Sequence, residues 1–225
     1  MSVLIKVCGA RSRSDVRLLA AAGTDLAGLW HGVPGGHAEL PFDTLTDLTR
    51  TALAGGGPEP VLVTFIGDAD RLAAVILASG IHWVQLHAYQ PPALVRALKA
   101  AAPVTVVKVL HLRDGRCVEE RFIGAYERAG TDLFLLDAVT DDGRLGSTGR
   151  QLTGAAVHAV ADRLNRPFLL AGGLTGTLSE QQALIAAHPR FYGIDVDTAA
   201  RDEHGRLAPP RVDAITRCWR TAVPE

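Results

Sequence analysis

Two residues in this chain have the type and setting to move protons. Cys8 is followed at once by Gly9, and Asp137 ends the apolar run Leu133-Phe134-Leu135-Leu136. A thiol beside a cation or dipole has its pKa lowered and becomes a nucleophile or base, and a glycine after it lets the backbone turn tightly. Read plainly, Cys8 is a small buried hydrophobe. A carboxylate at the end of an apolar run is costly to bury unless it is solvated, paired or used; its plain reading is a helix cap. The loop after Asp137 contains Gly146, Ser147, Thr148 and Gly149, small residues that let backbone approach a ligand.

Other candidates are weaker alone. Leu170-Ala171-Gly172-Gly173-Leu174 precedes a helical stretch, so the N–H groups around Gly172 and Gly173 can meet an anion. In Asp195-Val196-Asp197-Thr198-Ala199 the period of two puts Asp195 and Asp197 on one side, where two carboxylates would repel that anion. His87 ends Val84-Gln85-Leu86-His87, and His37 lies in the loop Gly35-Gly36-His37-Ala38. A lone histidine at such a place is more often structural than catalytic. None of these residues has the spacing of metal ligands, so no metal is expected.

The elements that must position them recur evenly. Apolar runs at Val3 to Val7, Leu26 to Trp30, Val61 to Ile66, Trp83 to Leu86, Val104 to Leu110, Leu133 to Leu136, Phe168 to Ala171 and Tyr192 to Val196 read as strands covered on both faces. Between them lie amphipathic stretches such as Ser14 to Ala22, Thr44 to Leu53, Asp70 to Ser79, Pro92 to Ala101, Val118 to Ala129, Leu152 to Leu164 and Ser179 to Ala187, with a last one near Pro210 to Trp219. Ser12 or Ser14 is placed to cap the first helix, and Gly23, Gly80 and Gly130 fall where helices should stop.

This alternation predicts an α/β fold, a (β/α)8 TIM barrel over residues 1–225 as one domain. A doubly wound open sheet is the competing arrangement. No glycine-rich dinucleotide fingerprint follows the first run, and the alternation fills the chain evenly. In a barrel the active site lies at the C-terminal ends of the strands, where Cys8, His87, Asp137, Gly172 and Asp195 all fall.

The bulk numbers agree with a ligand-binding domain. The 225 residues are 48% hydrophobic, with 23 basic and 24 acidic side chains and a net charge of -1. That balance speaks against a nucleic-acid or membrane surface and for a small-molecule substrate. No apolar stretch has the length of a membrane span and no leader pattern opens the chain, so a cytoplasmic location is expected. Three scattered cysteines suggest no disulfide framework. Either a monomer or a homodimer fits this composition.

Taken together, Lys6-Val7-Cys8-Gly9, Val84-Gln85-Leu86-His87, Leu135-Leu136-Asp137 with Gly146-Ser147-Thr148-Gly149, Leu170-Ala171-Gly172-Gly173-Leu174 and Ile194-Asp195-Val196 resemble, in order and spacing, the landmarks of the phosphoribosylanthranilate isomerase family of tryptophan biosynthesis. The resemblance implies an Amadori rearrangement of a sugar-amine or sugar-phosphate-like substrate, with no cofactor. Cys8 would be the general base and Asp137 the general acid, and the glycine-rich loops and Thr198 would cradle phosphate.

The chain departs from the family at three points. His37 stands where the family has an arginine that grips a carboxylate, and an imidazole makes no bidentate clamp. Asp197-Thr198-Ala199 replaces the small residues of the phosphate cradle, and Ala88 replaces the glycine after His87. These changes leave three readings: the isomerase itself, a relative in specialised metabolism acting on a changed substrate, and a non-catalytic ligand-binding barrel derived from the family.

Overall fold

Unbroken runs of Val, Ile and Leu have no polar face to turn to water, so they form strands covered on both sides. The computed structural model describes residues 2–139 and 151–222. In chain order the barrel strands are β1 (Leu4–Cys8), β2 (Leu26–Trp30), β3 (Glu59–Thr64), β4 (Trp83–Leu86), β5 (Thr105–Arg113), β6 (Leu133–Ala138), β7 (Phe168–Leu170) and β8 (Phe191–Val196). Each pairs in parallel with the next, and β8 pairs in parallel with β1, so the sheet closes. This is the (β/α)8 barrel, and the open doubly wound sheet is excluded.

The helices α1 (Arg13–Ala21), α2 (Phe42–Ala54), α3 (Ala69–Ser79), α4 (Pro92–Ala101), α5 (Ile123–Ala129), α6 (Gly154–Ala161), α7 (Glu180–Ala186) and α8 (Pro209–Arg220) cover the outside. Their starts are written locally. Ser12, not Ser14, caps α1 by accepting from the Asp15 N–H, and Asp68, Thr153 and Ser179 cap α3, α6 and α7. Gly80 and Gly130 end α3 and α5 in the left-handed conformation. The stretch expected to be helical from Val118 starts only at Ile123. Before it, β5 runs on into a hairpin with Arg116–Cys117, which places Glu119 at the barrel mouth.

Three apolar clusters result. One lies between sheet and helices, a small one packs Cys8 and Trp30 with Val33, Ala38 and Val63, and the third is a plug of Val107, Val109, Leu133, Leu135, Leu169 and Ala171. Above this plug the packing turns polar, with Lys6, Gln85 and Asp195 fully or nearly fully buried. A buried charge is tolerated only when paired, so the middle of the barrel is organised by ion pairs and hydrogen bonds.

Candidate active site

Strand register builds the site. Lys6 on β1 lies opposite Asp195 on β8, and the Lys6 ammonium sits 2.8 Å from the Asp195 carboxylate. Burial works against the Lys6 charge, but Asp195 and Cys8 beside it hold its pKa above the ordinary value. Two residues on, and so on the same face, Cys8 receives hydrogen bonds at its sulfur from Lys6 Nζ at 3.2 Å and Trp30 Nε1 at 3.1 Å. On β4 the same spacing places Gln85 below His87. Gln85 Nε2 lies 2.9 Å from His87 Nδ1 and donates to Asp195 at 3.5 Å.

Asp137 lies opposite His111 at the mouth ends of β6 and β5. His111 is fixed by Glu119 at 2.6 Å and by the His87 carbonyl at 3.1 Å. Burial, with Asp195 nearby, raises the Asp137 pKa to about 7. The carboxyl is therefore partly protonated at neutral pH, as a proton donor must be. His87 is the opposite case: burial and the neighbouring His111 and Lys6 hold it well below its ordinary value, so the ring is neutral. With Gln85 donating to Nδ1, the ring proton sits on Nε2, 3.6 Å from Asp137 Oδ2 and with no hydrogen-bond partner among the described residues.

Burial and the Asp195 charge push the Cys8 thiol up to about 12, with Lys6 and the Trp30 N–H opposing. The thiol lines the mouth with only 5% exposure, and desolvation of a thiolate outweighs one buried ammonium that Asp195 already pairs.

A cavity of about 1090 Å³ opens over these groups. Cys8 and Asp137 both line it, with His37, His87, Gly172, Gly173, Asp195, Asp197 and Thr198, so short motifs far apart in the sequence converge on one mouth. Gly146, Ser147 and Thr148 lie outside the described residues. Among the described residues no group of three or more His, Cys, Asp or Glu is arranged to hold a metal ion. No helix among them is long and apolar enough to cross a membrane.

The two carboxylates that threatened an anion site are both engaged. Asp195 is spent on Lys6. Asp197 is gripped by Arg201 Nε at 2.7 Å and faced by His37 Nε2 at 3.3 Å. Arg201 also donates to the carbonyls of Cys8, Gly9 and Gly205. Gly9 has φ +76, and a Cβ there would lie 2.2 Å from Arg201 Nη2, so this glycine is required both for its backbone and for the guanidinium beside it. Arg211, near the start of α8, also lines the cavity and donates to the Arg201 carbonyl oxygen.

Sequence reasoning passed over Lys6, Trp30, Gln85, Arg201 and Arg211. Lys6 and Gln85 could have been found two residues before Cys8 and His87, on the same strand faces. Arg201 is four residues after Asp197. Nothing local marks Trp30, which reads as one more apolar strand residue.

A closed parallel barrel with ionisable groups converging at the C-terminal mouth of its strands defines a (β/α)8-barrel enzyme. The comparisons narrow this class. The chain is 32% identical to N-(5'-phosphoribosyl)anthranilate isomerase of Halobacterium salinarum over 176 residues, 76% of each protein. It is 28% identical to the isomerase of the same name from Azorhizobium caulinodans over 225 residues, 99% of this chain and 93% of that one. No family model matches. The fold is shared with a phosphoribosyl anthranilate isomerase solved in complex with reduced 1-(o-carboxyphenylamino)-1-deoxyribulose 5-phosphate, at TM-score 0.72, 19% identity and coverage of 97% and 98% of the two chains. The chain belongs to the phosphoribosylanthranilate isomerase family and is an isomerase of that type.

Proposed function

We propose that this single barrel domain catalyses an Amadori rearrangement of a phosphorylated N-glycosylamine, with Asp137 as general acid and Cys8 as general base. Asp137 gives a proton to the ring oxygen as the bond from that oxygen to the first sugar carbon breaks, leaving an iminium ion. Cys8 takes the proton from the second carbon to form an enolamine, which tautomerises to the 1-amino-1-deoxy ketose. The observation that carries this reading is that Cys8 and Asp137, from strands on different sides of the barrel, line one cavity, with the carboxyl raised to about 7. His87, neutral and with its Nε2 proton 3.6 Å from Asp137 and not hydrogen-bonded among the described residues, is suited to orient the substrate beside Asp137.

A phosphate on the substrate is supported at the Gly172, Gly173 and Thr198 end, where the Asp197 charge is met by Arg201, and Arg211 lines the same cavity. Gly146, Ser147 and Thr148 are assigned to the same binding shell on the resemblance alone. The amine substituent is a separate matter. His37 lines the mouth, packs on Trp30 with ring centroids 4.7 Å apart and already faces the Asp197 carboxylate at 3.3 Å, and a single imidazole makes no bidentate clamp for a substrate carboxylate. This favours a substrate whose amine portion differs from anthranilate, with a role in specialised metabolism.

The test is complementation of a tryptophan auxotroph lacking the isomerase, together with turnover of phosphoribosylated aryl and alkyl amines by the purified protein. Turnover of a phosphoribosylamine that Cys8→Ala and Asp137→Asn each abolish supports the mechanism. Rescue of the auxotroph would overturn the changed-substrate reading alone. Undetectable turnover on every amine, with ligand binding unaffected in both variants, would leave a non-catalytic binding barrel.

A further inference from the structure

The sulfur of Cys8 has two nitrogen neighbours, and both can only donate. Lys6 Nζ is 3.2 Å away and Trp30 Nε1 3.1 Å. An ammonium and an indole N–H have no lone pair to offer, so neither can accept the S–H proton. Their hydrogens fall on the sulfur lone pairs, an arrangement that binds a thiol weakly and a thiolate strongly. We propose that Lys6 and Trp30 are positioning residues that together form a thiolate-stabilising pocket for Cys8, lowering the cost of its charged form without touching the reacting carbon.

The fold makes room for this pocket specifically. Cys8 lies opposite Gly28 in the β1–β2 register, and Trp30 is two residues further along the same face. A Cβ at residue 28 would lie 2.6 Å from the Cys8 sulfur and 3.1 Å from Lys6 Nζ. Any side chain there would displace the sulfur from one donor or both. Trp30 is in turn fixed by the His37 ring across its face.

The charged groups around the sulfur set what the pair must overcome. On β8 and beyond it, Asp195 is paired with Lys6 and Asp197 with Arg201, whose guanidinium bonds the Cys8 carbonyl oxygen. His37 approaches from the loop after β2, and His87 and Asp137 face the same cavity from β4 and β6. Burial and the Asp195 carboxylate favour the thiol, so the two donors are the groups that favour the base form. The indole has a second consequence. It is uncharged, so it stabilises the thiolate without drawing the anionic end of a substrate towards the base.

This inference rests on Cys8 acting as the base, and its test separates the two claims. The thiolate fraction is read from the rate of alkylation by iodoacetamide across neutral pH, with Cys8→Ser subtracted to remove Cys117 and Cys218. Trp30→Phe keeps the ring and deletes the N–H; it is expected to slow Cys8 alkylation about tenfold, equivalent to about one pH unit in the thiol, and to lower kcat by a similar factor with KM changed less than about twofold. Looser packing alone would speed alkylation, so a slower rate cannot come from access. Lys6→Met is expected to slow it further, and Trp30→Phe, which leaves the Lys6–Asp195 pair intact, carries the test alone where that variant fails to fold. An unchanged or faster alkylation rate in Trp30→Phe overturns the inference while leaving the base in place. Full turnover by Cys8→Ser overturns the assignment of the base itself.

Discussion

Asp137 answers two opposed demands. As an acid it must hold a proton near neutral pH, and burial beside Asp195 raises it to about 7. With the Cys8 thiol near 12, the productive form, a thiolate facing a protonated carboxyl, is a small fraction that grows with pH up to about 7 and then levels off, so kcat/KM is expected to rise about tenfold per pH unit below 7 and to flatten above it; a pH profile checks this. Asp137→Asn should lose about 10²- to 10⁴-fold in kcat, the usual worth of a positioned acid. Stability moves the other way. With a folded-state pKa of about 7 against a reference of 3.8, the folded protein binds this proton more tightly, so stability is lost as pH rises from about 4 to 7. The Asn variant does not pay this penalty and is expected to be more stable than the parent above pH 7, by up to roughly 4 kcal/mol on a three-unit shift, with the gap closing near pH 4. Urea midpoints at both pH values read the difference; equal midpoints at high pH would show that Asp137 is not desolvated as its surroundings imply.

At the scale of elements, the two-residue period of strands decides which groups meet. Lys6 and Cys8 share one face of β1, Gln85 on β4 and His87 just past its end keep the same two-residue spacing, and each lower residue supports the upper. Gly28 on β2 is the complement of this pattern, the place where a side chain is left out. Gly28→Ala would bring a methyl within 2.6 Å of the Cys8 sulfur and 3.0 Å of the Cys8 Cα, and is expected to lower kcat at least tenfold and to cost about 1–3 kcal/mol of stability through overpacking. Parallel kcat and thermal-melt measurements separate these effects, and a variant with full activity would mean that the sulfur has freedom the packing denies. The strands, helix caps and mouth residues were legible in the sequence because each depends on spacing within one segment. The Trp30 N–H bond to Cys8, the Arg201 clamp and the displaced start of α5 were not, because each depends on register between segments or on a hairpin no local pattern announced.

Across the whole molecule, the barrel must join its last strand to its first, and the sequence carries that instruction at both ends of the chain. β8 pairs with β1, and the Lys6–Asp195 ion pair bridges that seam inside the barrel. On the outside α8 covers it: Arg220 bonds Asp25 and the backbone carbonyl oxygens of Val3 and Gly23. Trp219 is fully buried, lies 6.3 Å from the Phe191 ring on β8, and donates its indole N–H to the Thr175 carbonyl at 3.1 Å. Thr175 lines the cavity beside Gly173, so one side chain supports both the closing seam and the anion end of the site. Trp219→Ala is expected to cost about 3–5 kcal/mol from lost burial and the hole left behind, and to raise KM for a phosphorylated substrate as the Thr175 backbone loses its donor. Trp219→Phe refills much of the hole without restoring the N–H, so it should recover most of the stability and little of the KM. Urea unfolding and steady-state kinetics on the two variants resolve these contributions. If both variants lost stability while KM stayed at the parent value, the seam and the anion end would be independent, and α8 would serve closure alone.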